Sequence, residues 1–325
     1  LAVPASRYVL AKRIKAHRDA IFSVAVSARG DFLASGGMDG AKIWDLRTYQ
    51  QLAGPQQRHA HADPVSCTAW ITRRDELRET LCYGTALGNL VIWRQQSRSK
   101  EVFEEVLTIK VGTGKEILCV SCDTSVPMGV RIATGTRDAR VLVWSFDSRE
   151  RIHSVFSVQL DNTIPKGIAF SKDTKDIFVF GLYNGYVHTM RGADGKILET
   201  FNLGTGGVAM NERQTQFVVD NAVDGLSLHR MSDGAYVRTF PIKSARAYPK
   251  QVAFVEQNRR IVGGGDQGSV YVFDRKNSML VQTLCHAKDE MVQTVTAHDA
   301  DGRSTIVAAS SKGSGEATIT VWTRH

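Results

Sequence analysis

Apolar residues in this chain come in short runs that stop at glycine or aspartate and then begin again. In the first cycle Ala20 to Val26 predicts a strand, and Ser27 to Asp31 is a polar turn containing glycine. Phe32 to Gly36 predicts a second strand, Gly37 to Gly40 a tight turn, Ala41 to Asp45 a third strand, and Tyr49 to Ala53 a fourth. Alternation and turn chemistry support each assignment, and a third run that is apolar at nearly every position predicts a strand packed on both faces. The cycle returns in Val65 to Trp70 with Leu81 to Gly84, in Ile117 to Cys122 with Arg131 to Gly135, and in Ile168 to Ser171 with Ile177 to Gly181. It returns again in Val208 to Met210 with Phe217 to Val219, in Val252 to Phe254 with Ile261 to Gly263, and in Val292 to Val295 with Ile306 to Ser310. The third runs end at Trp44, Trp93, Trp144, Met190, His229, Phe273 and Trp322, in steps of 49, 51, 46, 39, 44 and 49 residues. A period of that size marks a blade-by-blade array. The expectation is an all-β, seven-bladed propeller of four-stranded antiparallel blades, with residues 1–325 as one domain and no linker between copies.

Closure is also predicted. Each third run except the last is followed by a candidate fourth strand, such as Lys196 to Thr200 or Leu280 to Leu284, whereas only three residues follow Trp322. The unmatched run Tyr8 to Ile14 lies before the first cycle. It should complete the last blade and cover its open edge.

Composition narrows the picture little further. The formal charge is +8, with the basic residues (Arg13, Arg73, Arg98, Arg149, Arg259) scattered along the chain, which is weak grounds for nucleic-acid binding. Five cysteines cannot all pair within one chain, and three of them lie in strand runs, so free thiols in a reducing, intracellular compartment (cytoplasm or nucleus) are expected. No run reaches the roughly 20 apolar residues that a membrane-spanning helix needs, and the opening residues Leu1 to Arg7 lack the apolar core of a signal peptide.

His17 before the first strand, Ser35 on the second, Asp39 in the next turn and Trp44 on the third, followed by Asp45, resemble the WD-repeat family of β-propellers. The strand pattern extends that resemblance over essentially the whole chain. The unit Gly263 to Asp274 and the ending Ile319 to Trp322 are similar to fungal WD-repeat proteins, a likeness that carries no activity. The family resemblance implies that the four side chains form a buried hydrogen-bond relay tying loops to strands. A Ser-His-Asp hydrolase triad is the competing reading, but it needs an exposed nucleophile with oxyanion donors, and a serine inside Leu33 to Gly36 should be buried. The third unit keeps Thr134, Asp138 and Trp144 with Thr113 in place of the histidine. The second keeps His61 and Trp93 with Tyr83 and Leu87 at the other two positions, and the seventh keeps Trp322 with His286 at an irregular spacing.

Other candidate motifs fail on spacing. Cys119 and Cys122, three apart on a strand, face opposite sides and cannot clamp one metal. His59 and His61 lack a third ligand. Gly112 to Glu116 lacks the first glycine and the final hydroxyl of a phosphate loop, and Gly263 to Gly265 precedes a strand rather than a helix. No Phe-Arg-Arg-Gly phosphoinositide motif and no sialidase-type aspartate box occurs.

The reading is therefore a monomeric, non-enzymatic scaffold with no catalytic residue, cofactor or metal, and no membrane span. It should bind a protein or peptide, of acidic character, through the loops that lead into the first strands and those joining second to third strands. These loops contribute Arg18, Met38, Lys115, Arg137, Lys166, Tyr183, Arg246, Tyr248 and Asp266, a mostly basic set with two aromatics. The alternative is a nucleic-acid-binding propeller using the same basic face, which clustered base-stacking aromatics would favour.

Overall fold

The computed structural model of the chain describes residues 7–55, 63–73, 76–97, 100–125, 129–203, 207–222, 224–244, 248, 250–310 and 315–325. Every regular element among them is a β-strand. The first blade holds β2 (Ile21–Val26), β3 (Phe32–Gly37) and β4 (Gly40–Asp45), and the chain begins with β1 (Val9–His17). The second blade holds β5 (Val65–Ile71), β6 (Thr80–Thr85), β7 (Asn89–Ser97) and β8 (Lys100–Lys110), and the third β9 (Ile117–Asp123), β10 (Gly129–Thr136), β11 (Arg140–Asp147) and β12 (Ile152–Gln159). The fourth holds β13 (Pro165–Phe170), β14 (Ile177–Gly181), β15 (Tyr186–Met190) and β16 (Ile197–Asn202), and the fifth β17 (Val208–Met210), β18 (Gln216–Asp220), β19 (Gly225–Arg230) and β20 (Tyr236–Pro241). The sixth holds β21 (Val252–Val255), β22 (Arg260–Gly264), β23 (Ser269–Asp274) and β24 (Leu280–Cys285), and the seventh β25 (Val292–Ala300), β26 (Arg303–Ser310) and β27 (Ala317–Arg324).

Each blade is an antiparallel meander, and the seventh is completed by β1 in the order β1-β27-β26-β25. Neighbouring blades touch in sequence, the fourth and fifth through Gly167 against Val208 and Phe180 against Phe217, and β2 also meets β25, so the ring is closed. The first blade departs from the expected four strands. Its fourth run is reduced to a bridge between Trp44 and Gln51, held by Asp45 N–H to Gln50 O (3.0 Å) and Leu52 N–H to Ile43 O (2.8 Å). Tyr49 takes a left-handed φ of 60°, as Ser278 does in the matching turn before β24, so the shortening begins after the turn, where Gly54 and Pro55 follow Leu52 and proline has no N–H for a ladder.

The core lies between blades. Second strands such as β3 and β6 are buried throughout, because both faces meet neighbouring sheets. Ile14, Ile319 and Val321 of the seventh blade share one cluster with Ile21, Leu33 and Trp44 of the first, so apolar burial as well as backbone pairing seals the seam. No helix of the described residues is long and apolar enough to cross a membrane.

Candidate functional site

The first-blade relay is continuous. The register sets Leu33 opposite Trp44, so Ser35, two residues further along the same face, lies beneath the indole. Trp44 Nε1–H donates to Ser35 Oγ (2.8 Å), which leaves the hydroxyl proton free to donate to His17 Nε2 (2.7 Å). His17 Nδ1–H then donates to Asp39, whose second oxygen accepts Lys42 Nζ–H (2.8 Å) and Arg18 N–H (3.2 Å). Burial lowers the His17 pKa and favours this neutral imidazole, with Asp39 pulling the other way. Burial pushes Asp39 up, but the bonds from Lys42 and His17 outweigh it and hold the carboxyl down at about 2. Ser35 has no exposed surface, and its oxygen already accepts the indole N–H. The serine, histidine and aspartate align as in a hydrolase, yet no substrate can reach the hydroxyl.

The third blade has the same register, with Ile132 opposite Trp144, but its relay does not connect. Thr113 is too short to reach inward as His17 does. Its hydroxyl binds Asp138 (2.6 Å), and Thr136 binds the other carboxylate oxygen (2.6 Å). Thr134 donates instead to Leu142 O (3.4 Å), and Trp144 Nε1 is buried with no hydrogen-bond partner among the described residues. With Thr113 in place of the histidine, Thr134, Asp138 and Trp144 thus fall into two separate halves. In the second blade Trp93 Nε1 is likewise unpartnered and its ring packs edge-on against Tyr83, with centroids 5.1 Å apart. His59 and His61 lie outside the described residues. In the seventh blade His286 Nδ1 meets Thr320 Oγ1 (2.6 Å), so the hydroxyl comes from the third strand, with Ala308 opposite it on the second.

Two further relays are built from residues that the sequence did not single out for this role. In the fourth blade histidine and hydroxyl exchange places: His188, on the third strand, meets Thr163 (3.0 Å) and Thr200 (2.8 Å), and Asn184 donates to Thr163 (2.8 Å). In the sixth a lysine replaces the histidine. Lys250 Nζ pairs with Asp266 (3.0 Å) and donates to Ser244 (3.1 Å), with both charged side chains at most 5% exposed. In the fourth blade the sequence hints at this with His188 inside a third strand, whereas Lys250, Asp266 and Ser244 of the sixth all lie outside its third strand.

The two loop families do share one face, because each turn between second and third strands presses on the loop leading into a first strand. Asn184 donates to Asn162 O (2.6 Å), and His286 N–H donates to Gly268 O (2.8 Å). A Cβ on Gly268, which has φ +75°, would collide with the Ala287 backbone. On this face Arg18 and Lys115 are exposed and make no ion pair among the described residues. Met38, Tyr183 and Tyr248 are exposed by 43%, 69% and 48%. Arg137 is exposed but paired with Glu116 (2.6 Å). Two placements are corrected. Lys166 is half-buried on β13 rather than in a loop, close enough to Cys119 to oppose the larger effect of burial, which pushes that thiol up to about 12. Asp266 is turned inward onto Lys250 and offers no carboxylate to a partner. Arg246 lies outside the described residues.

All five cysteines are free, with Cys119 and Cys122 packed into different inter-blade clusters. Among the described residues no three His, Cys, Asp or Glu side chains gather as metal ligands. The opposite face carries a cavity of about 750 Å³ lined by turns of the fifth to seventh blades, where Asp299 accepts Glu256 N–H (3.1 Å) and Gln257 N–H (2.8 Å). Residues 8–45, the span of β1 to β4, match the family described as WD domain, G-beta repeat. No curated protein matches the chain.

Proposed function

Because the chain belongs to the WD-repeat β-propellers, which typically serve as protein-interaction scaffolds, we propose that it is a monomeric, non-enzymatic scaffold inside the cell. It binds an acidic peptide segment of a partner through the loop face. One observation carries this reading. Three carboxylates of that face are engaged within the blades, Asp39 by His17 and Lys42, Asp138 by Thr113 and Thr136, and Asp266 by Lys250, while Asp161, Asp224 and Asp289 stay exposed in the loops of other blades. Arg18 and Lys115 make no ion pair among the described residues, and Met38, Tyr183 and Tyr248 are exposed on the same face, a combination suited to carboxylates and apolar anchors. The free cysteines support an intracellular setting.

The test is fluorescence anisotropy with a labelled synthetic peptide rich in glutamate and phenylalanine. Binding should weaken with salt and fall about tenfold or more in Arg18→Glu/Lys115→Glu, with an unchanged melting point. Unchanged affinity in that variant would remove the loop face from consideration. Tighter binding of a single-stranded oligonucleotide, lost in the same variant, would replace the peptide reading with a nucleic-acid one.

A further inference from the structure

The outer strands of the blades differ in what they present. In the second to seventh blades the outer strand passes the end of the third strand through a bulge, which gives a common reference level round the ring. Opposite Trp93 and Trp144 at that level stand Glu105 and Ser154. Opposite Met190, His229, Phe273 and Trp322 stand Ile197, Tyr236, Leu280 and Leu10. At that level the rim is polar in the second and third blades and apolar from the fourth to the seventh, although Val102 of β8 and Val155 of β12 are also exposed.

In the fifth to seventh blades the apolar stretch is contiguous. The Arg238 guanidinium of β20 donates to Lys276 O in the turn before β24. Gln282 of β24 exchanges two 2.9 Å bonds with the Tyr8 backbone just before β1. Around these stitches Tyr236, Met279 and Val9 are exposed by 61%, 63% and 66%, with Val237, Leu280 and Leu10 beside them. The same three outer strands contain Arg238, Lys12, Arg13 and Lys15 and no carboxylate; Lys15 pairs with Glu316 just before β27 (2.9 Å) and Arg13 donates to His286 O, which leaves Lys12 as the exposed cation of β1 with no ion pair among the described residues.

Charge and backbone chemistry select the occupant. A second copy of this rim would set like cations against each other, a device that keeps sheet edges apart. A lipid bilayer would cover the apolar side chains but could not pair the open N–H and C=O groups of an edge strand. An extended chain can do both. We propose that the outer edge of the sixth blade, β24, accepts a partner segment as an added fifth strand. In that segment aliphatic residues alternate with glutamate or aspartate, so that one set meets the apolar rim and the other the cations of β20 and β1. This surface shares no residue with the loop face and does not depend on that reading.

The probe is a labelled synthetic peptide of about twelve residues in which valine and glutamate alternate, titrated into the whole protein and followed by anisotropy. Saturable binding should weaken about tenfold or more in Leu280→Glu and in Val237→Glu, and stay unchanged in Lys115→Glu. A peptide N-methylated at alternate amides should lose binding, since it cannot pair with an edge. Four results would overturn the proposal: equal binding by the rim variants, loss through Lys115→Glu alone, equal binding by the N-methylated peptide, or concentration-dependent self-association of the parent that Leu280→Glu abolishes. Binding to phosphatidylcholine–phosphatidylserine vesicles without binding to the peptide would assign the rim to a lipid surface instead.

Discussion

The first and third blades present an indole, a second-strand hydroxyl and a turn aspartate in the same register, yet only the first joins them. The difference lies in the residue leading into the blade. His17 carries two ring nitrogens on opposite edges and bridges Ser35 to Asp39, whereas the single hydroxyl of Thr113 stops at Asp138. With the bridge missing, Thr134 turns to a strand carbonyl and the Trp144 indole N–H loses its acceptor. Correct placement of three groups does not make a network. The bridging group decides whether a buried donor is satisfied or left at a cost of about 1–3 kcal/mol.

The largest effect should come from removing the strand that brings His17 to its place. Deleting residues 1–14 opens the edge of β27 and unpairs the seam, so the native melting transition should be lost or the chain should associate. A truncated protein that melts with the parent and sediments as a monomer would show that the first blade stands without the seam. Next, His17→Ala should destabilise by about 2–3 kcal/mol in urea titrations, because it leaves the buried Ser35 hydroxyl proton and one Asp39 oxygen without a partner and removes a buried ring. Thr113→Ala should cost under about 1 kcal/mol, since Thr136 still holds Asp138. Thr113→His sharpens the contrast and should raise stability by about 1 kcal/mol if an imidazole there bridges Asp138 to Thr134. Equal losses from the two alanine variants would dissolve the distinction between the blades.

The smallest effect is the dependence on pH. Burial lowers the His17 pKa below its ordinary 6.5, so the unfolded chain takes up that proton first. Stability is complete above 6.5 and falls as pH drops below it. Asp39, held at about 2 against an ordinary 3.8, adds a second loss as pH falls through that lower window. His188, His229, His286 and His298 are lowered by burial too, so the share of His17 is the difference between parent and His17→Gln in urea midpoints at pH 7.5 and 5.5. Parallel pH curves for the two proteins would contradict the assignment of a neutral, bridging His17.

Seven cycles, their strands and the closing run Tyr8 to Ile14 were legible in the sequence, because alternation, glycine turns and an unmatched strand are local or countable signals. The length of the fourth strand of the first blade was not, since the run from Tyr49 to Ala53 has the turn and alternation of the other outer strands yet pairs only as a bridge before Gly54 and Pro55. The relays of the fourth and sixth blades escaped for a different reason. A template with fixed residue types at fixed positions misses His188 and Thr163 exchanging strands, or Lys250 standing in for a histidine, although the buried hydrogen-bonding demand is the same. The loop face was legible as a set of loops, but which charges remain available was not. Whether Asp266 or Arg137 is already engaged depends on partners about twenty residues away in the chain.

His17 is the last residue of β1, so one short stretch of chain both latches the seventh blade and bridges the first. Local opening at the latch cannot leave the first blade intact. Peeling β1 from β27 withdraws the imidazole, and the two blades loosen as a single cooperative unit with one opening free energy. A pull on the N-terminal end would be felt at the ring's seam and at Trp44 together, while the third blade, whose halves are already separate, would register nothing.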